Sequence, residues 1–217
     1  MSSSDSQEPT VFLVDDDEAV RDSMRWLVES VGLKIETFSS GQIFLESFDP
    51  ERPGCLITDM RMPGMGGLEL QEQLRRRGSA MPVIIVTAFG DVQTAVRAMK
   101  GGAVDFLQKP YNNDQVLELI QRSIAKDQEE RQRRGELQLV EEGLQRLTPR
   151  EREVLQLVVG GHSNKEIARE LGIVPKTVEA HRAQVMDKMG VRSLADLVRR
   201  FSEYQLDDSS GEGNPLA

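Results

Sequence analysis

Cysteine is almost absent: Cys55 is the single thiol in 217 residues. That excludes a disulfide framework and a cysteine-rich zinc site. Histidine is nearly as scarce. With only His162 and His181, a histidine-based metal site is not expected. No apolar run approaches the roughly 20 residues that cross a bilayer. The first nine residues are Ser-rich and acidic, without a basic or apolar signal region. The sequence therefore reads as a soluble, cytosolic chain that stays off membranes.

What is present supports folded structure. Hydrophobic residues make up 38% and charged residues 29%, enough apolar material for a core. The length suits one large domain or two small ones. The net charge of -9 is unevenly distributed. Residues 10–124 carry 12 basic against 17 acidic side chains, whereas 144–206 carry 11 against 8. An acidic chain with a separately basic C-terminal block can still meet nucleic acid, because binding follows the local field.

The N-terminal half alternates short apolar runs with helical spacing. Runs at 11–14, 33–38, 55–58, 82–86 and 104–107 read as strands. Val20, Met24, Leu27 and Val28 mark a first helix; Ile43 and Phe44 a second; Leu70 and Leu74 a third; Val92, Val96 and Met99 a fourth; Val116 and Ile120 a fifth. Strands apolar throughout predict burial on both faces, hence a parallel sheet between helices. Ligands of such sheets bind beyond the strands' carboxyl ends. Asp15 and Asp16, Asp59, Thr87 and Lys109 stand there. Asp17 reads as the cap of the first helix. Trp26 and Cys55 read as structural.

A single aspartate at a strand end usually caps a helix or turn. Three aspartates, a hydroxyl and a lysine converging on one edge imply more. Carboxylates so close repel unless a hard cation such as Mg²⁺ lies between them. One of them can then attack a phosphoryl group, with Lys109 and Thr87 meeting its oxygens. The stretches Val14–Asp17, Thr58–Gly67, Val86–Ala88 and Asp105–Pro110 resemble the receiver domain of two-component response regulators, over about residues 10–124. The resemblance implies a flavodoxin-like, doubly wound five-stranded α/β domain. It implies Asp59 as phosphoacceptor from a sensor histidine kinase. Mg²⁺ would be held by Asp15, Asp16, Asp59 and the Arg61 carbonyl. Lys109, Thr87 and Phe106 would bind the phosphoryl group and switch. The Lys109-Pro110 bond would be cis.

Residues 125–143 read as a charged, helical linker that Gly135 could interrupt. Beyond it there is no strand signal. Thr148, Pro149 and Glu151 spell a capped helix start. Asn164–Leu171, a turn at Gly172 and a helix from Val174 to Met189 give a helix-turn-helix, followed by a helix at 194–201. Val178, His181, Val185 and Met189 share one face, predicted inward. The Thr148–Leu155, Asn164–Ala168 and Lys176–Arg182 stretches resemble the four-helix, all-α DNA-binding domain of the LuxR, NarL and FixJ type, spanning 144–206. The resemblance implies double-stranded DNA and RNA polymerase as partners. Lys165, Lys176, Thr177, Glu179, Ala180, Arg182, Ala183 and Lys188 would face DNA.

The domain order is that of the FixJ branch. It implies a phosphorylation-controlled transcription factor, acting by activation, that forms a homodimer through about 91–107. One departure is Phe89, where FixJ-like receivers often carry His; this bears on phosphoryl lifetime. Residues 1–9 and 207–217 read as disordered. An aspartyl-phosphate phosphatase is the rival class. It lacks support because Glu18 and Ala19 follow the aspartates where such enzymes show Asp-x-Asp-x-Thr.

Overall fold

The computed structural model describes residues 8–88 and 92–208. The readings of Phe89, of the first seven residues and of 209–217 lie outside the described residues. Two units divide at Glu130 and Arg131. In chain order the elements are β1 (Thr10–Val14), α1 (Glu18–Ser30), β2 (Lys34–Phe38), α2 (Gly41–Ser47), β3 (Gly54–Asp59), α3 (Gly67–Arg76), β4 (Val83–Thr87), α4 (Val92–Lys100), β5 (Asp105–Gln108) and α5 (Asn113–Arg146), then α6 (Pro149–Val159), α7 (Asn164–Leu171), α8 (Pro175–Lys188) and α9 (Leu194–Asp208).

The five strands form one sheet in the order β2-β1-β3-β4-β5, every neighbouring pair parallel. This is the flavodoxin-like order. Side chains alternate across it. Phe12, Val14, Leu56, Val83 and Ile85 pack with Phe44, Leu70 and Leu74 of α2 and α3. Val11, Leu13, Cys55, Ile57, Ile84 and Val86 pack with Met24 and Val28 of α1 and Val116 and Ile120 of α5. Each fully buried aliphatic side chain contributes about 1.5–3 kcal/mol, so both faces of the sheet must be covered. The uniform apolar character holds for β1, β3 and β4, which are buried along their whole length. The edge strands β2 and β5 are only partly buried, and carry Glu36, Thr37, Asp105 and Gln108.

Local signals place the helices. Asp17 caps α1, its carboxylate accepting the Ala19 N–H at 2.9 Å. Thr148 and Glu151 form the expected capping box of α6, and Ser163 and Glu166 form another at α7. Gly172 ends α7 at φ 65°. α9 extends to Asp208, seven residues beyond the expected end. Trp26 is not a core residue: it stands on α1 with 79% of its surface exposed. Cys55 is fully buried, and burial pushes its thiol up to about 12, so it is inert.

The helix α5 runs unbroken through Gly135, where glycine lowers helix stability by about 1 kcal/mol relative to alanine. Packing at its two ends offsets that. Val116, Leu119, Ile120 and Ile124 belong to the core of the first unit. Val140 and Leu144 belong to the core of the second, with Val154, Leu155, Ile167, Val178, Leu197 and Phe201. Across 125–143, expected as a charged helical linker, the helix is continuous and mostly exposed, with Asp127, Val140 and Gly143 buried. Among the described residues, no helix is long and apolar enough to cross a membrane.

Candidate functional site

The carboxyl ends of β1 and β3 bring Asp15 and Asp59 together. Both are buried, at 2% and 8% exposure. The Lys109 ammonium, just after β5, donates to Asp15 Oδ2 at 2.8 Å and to Asp59 Oδ1 at 3.0 Å. The remaining oxygens are also engaged: Asp15 Oδ1 accepts the Asp17 N–H at 3.0 Å, and Asp59 Oδ2 accepts the Arg61 N–H at 2.7 Å. Burial alone would lower the Lys109 pKa; the hydrogen bonds and charges of Asp15 and Asp59 outweigh it, so the value is raised. The ammonium stays charged throughout the physiological range. The Lys109-Pro110 bond is cis.

Neighbouring strand ends complete the edge. Thr87 is 1% exposed, and its carbonyl accepts the Lys109 backbone N–H at 2.7 Å. Phe106 is half-buried against the core under α2 and α3. Asp16 behaves differently from its expected partners. Its side chain is exposed, and among the described residues no three of His, Cys, Asp and Glu are gathered closely enough to hold a metal. The expected three-carboxylate cluster is thus a pair sharing one lysine, with Asp16 at its rim, because consecutive residues leaving a strand point to different sides. The donor chemistry still fits a hard divalent cation. The Asp15 and Asp59 carboxylates offer oxygen donors and negative charge, the ligand type that Mg²⁺ takes.

Two supporting residues escape a pattern reading. Arg21, one turn into α1, donates to the carbonyls of Asp15 and Asp16 at 2.7 and 3.0 Å. It pins the acidic turn and adds positive charge beside it. Gly67 opens α3 directly against the end of β3; a Cβ there would lie 2.5 Å from the Asp59 carbonyl oxygen. Only glycine permits that approach.

In the second unit, Val178, Val185 and Met189 are buried and form the inward seam of α8. His181, expected on the same seam, is partly exposed. Lys176, Glu179, Ala180 and Ala183 are exposed, Thr177 is half-buried, and Lys165 is exposed on α7. Arg182 is half-buried and donates to Asn164 Oδ1 at 2.8 Å, joining α8 to the start of α7. Lys188 is a correction. Its ammonium donates to Glu151 Oε1 and Oε2 at 2.9 and 2.7 Å, and only 25% of its side chain is exposed. Expected on the outward, DNA-facing side, it is instead paired with Glu151 inside the domain. Glu151 also accepts the Thr148 N–H at 2.7 Å. The Lys188 hydrogen bond, followed by that backbone donor, lowers the Glu151 pKa to about 2 despite burial.

A doubly wound sheet with a lysine-bridged aspartate pair at its carboxyl edge, followed by a helix-turn-helix unit, defines a signalling protein with a DNA-binding output. Residues 11–121 match the response regulator receiver domain, and residues 145–201 match the luxR family of bacterial regulatory proteins. The chain belongs to the two-component response regulators with a LuxR-type DNA-binding domain. Its relatives are FixJ-like. It is 44% identical over 189 residues to the transcriptional regulatory protein TdiR of Thauera aromatica, covering 87% of this chain and 83% of that one. It is also 44% identical over 189 residues to FixJ of Azorhizobium caulinodans, covering 87% and 90%. A low-resolution structure of the response regulator StyR is similar, with a TM-score of 0.81 and 47% identity over 91% of this chain and 100% of that one.

Proposed function

We propose that Asp59 accepts a phosphoryl group from a sensor histidine kinase and that this controls operator binding by the C-terminal unit in the cytoplasm. The observation that carries the reading is the Lys109 bridge between Asp15 and Asp59. A cation beside the acceptor carboxylate supports this reading, because negative charge builds on a transferring phosphoryl group. Asp59 attacks phosphorus, the bond to the donor nitrogen breaks, and Lys109 moves with the new phosphoryl oxygens. Asp15, Asp16, Asp59 and the Arg61 carbonyl are the residues that would hold Mg²⁺. When bound, the ion draws charge from the phosphoryl oxygens. Thr87 and Phe106 then report the phosphorylated state to the face of α4 and β5.

That face carries exposed Val96 and Met99, which supports homodimer formation through α4 and β5. A dimer doubles the DNA-binding units on a two-half-site operator and gains affinity by avidity. Lys165, Lys176 and Arg182 contact phosphates, while Thr177, Glu179, Ala180 and Ala183 face base edges. The exposed small side chains let α8 approach closely. RNA polymerase is the downstream partner, and activation is the sign of the response.

The test is direct. Incubation with acetyl phosphate and Mg²⁺ should give one phosphate adduct by intact mass, and operator affinity by fluorescence anisotropy should rise with it. Asp59→Asn should abolish both. Full labelling of that variant would refute the assignment.

A further inference from the structure

The strand β3 is held at both ends by side chains from later in the chain. At its carboxyl end, Lys109 holds Asp59. At its amino end, the Gly54 N–H donates to Asp127 Oδ2 of α5 at 2.9 Å, a contact spanning 73 residues. Asp127 is 1% exposed and lies in the first unit, six positions beyond the end of the receiver match.

Strand geometry explains why a carboxylate is needed there. In β3, the Leu56 N–H bonds the Pro82 carbonyl on the β4 side. Gly54, two residues earlier, points its N–H to the same side. The β4 pairing begins only at Leu56 and Val83, so no strand carbonyl faces Gly54. A buried N–H must find a partner, and Asp127 supplies it. The position tolerates no side chain on the strand: at Gly54, φ is +144° and a Cβ would lie 1.8 Å from the Thr10 carbonyl oxygen. On the helix side, Ser123 and Asp127 continue the buried face of Ile120 and Ile124 by one turn. Asp127 is therefore the last buried contact of α5 with the receiver before the helix continues into the second unit.

We infer that Asp127 is the positioning residue that couples the phosphoacceptor strand to helix α5, and so sets how strongly phosphorylation at Asp59 changes DNA binding. The inference rests on the function proposed above. β3 carries Asp59 at one end and the Asp127 anchor on Gly54 at the other, all six of its residues being buried. A shift of the strand on phosphorylation reaches α5 through this hydrogen bond.

The test uses the full chain. Asp127→Leu keeps a branched side chain of the same skeleton, in a good helix former, but removes the acceptor; Asp127→Ala removes the acceptor and the side chain beyond Cβ; Asp127→Asn keeps a neutral acceptor. Phosphate uptake from acetyl phosphate is read by mass. The ratio of affinities with and without phosphodonor is read by anisotropy, on a duplex selected from genomic fragments by the phosphorylated wild-type protein. Hydrogen exchange is followed at 53–57 and 120–130. Leu and Ala variants should take phosphate at wild-type yield, exchange faster in both segments, and lose at least about fivefold of the affinity ratio. Asp127→Asn should retain most of it. An unchanged ratio in the Leu and Ala variants overturns the coupling role. Loss of phosphate uptake in both also overturns it, because Asp127 then serves receiver folding only. A wild-type chain that takes phosphate without gaining affinity overturns the proposed function itself, and this inference with it.

Discussion

Replacing Glu151 by Gln isolates one ion pair in the DNA-binding unit. The carboxylate accepts from Lys188 at 2.7 and 2.9 Å and from the Thr148 N–H at 2.7 Å. Its side chain is 7% exposed and that of Lys188 is 25% exposed. Breaking a fully buried pair by removing one partner costs about 3–5 kcal/mol. Lys188 keeps access to water, and Gln still accepts the Thr148 N–H, so we expect about 2 kcal/mol. At about 4–8 °C per kcal/mol for a unit of this size, the unit should melt ~8–16 °C lower. The pH dependence gives a second signature. The Glu151 carboxyl is held at about 2, below the ~4.3 of a free glutamate. A depressed carboxyl contributes stability that is complete above the unfolded value and is lost as pH falls through the folded one. That contribution should fade between about pH 4.3 and 2 in the wild type and be missing in Glu151→Gln. Hydrogen exchange in urea at α6 and α8, with β3 as internal control, reads both. Equal stability of α6 and α8 in the two proteins, or an identical acid response, would refute the argument. The double variant Glu151→Gln, Lys188→Met should cost less than the sum of the two single changes.

Three further outcomes follow from the same contacts. Asp16→Ala removes an exposed charge beside two others and should stabilise the metal-free receiver slightly, whereas Asp15→Ala breaks a buried pair with Lys109 and should destabilise it by about 2–4 kcal/mol; both should weaken Mg²⁺ binding by calorimetry, and a wild-type affinity in both would contradict the donor set. Lys176→Ala should weaken binding to all DNA sequences and shrink the salt slope by about one unit, Lys188→Ala should lower stability with the slope unchanged, and Ala183→Leu should obstruct the groove without unfolding the domain; anisotropy across a salt series separates the three. Gly67→Ala should push α3 off the Asp59 carbonyl and reduce phosphate uptake, and full uptake measured by intact mass would show that the strand end yields to the methyl group.

The receiver was legible because its chemistry coincides with its periodicity. Apolar runs of strand length end in Asp15, Asp59, Thr87 and Lys109, and a parallel sheet puts those ends on one edge whatever the loops do. The turn at Gly172 and the cap at Thr148 were legible for a similar reason: each is a local backbone requirement that few residue types meet. What escaped was decided by tertiary partners. Lys188 looks like any cation on a DNA-binding helix until Glu151 is seen across from it, and Glu151 reads fully as a capping residue without Lys188. Arg182 sits on an outward stripe, yet the start of α7 holds it through Asn164. Asp16 follows Asp15 in sequence but stays exposed where Asp15 is buried. Helix α5 is the most instructive case. Between Lys126 and Glu136 it offers no large apolar residue, so periodicity is silent and composition suggests a solvated connector. The buried position in that stretch is filled by Asp127, a residue type that sequence rules assign to the surface. A carboxylate can take a core position only where a fixed donor meets it, and here the donor is the backbone N–H of a glycine 73 residues away. Nothing in the local sequence of either segment announces the other. The contact becomes visible only when the sheet order is known and the unpaired edge at the start of β3 demands an acceptor.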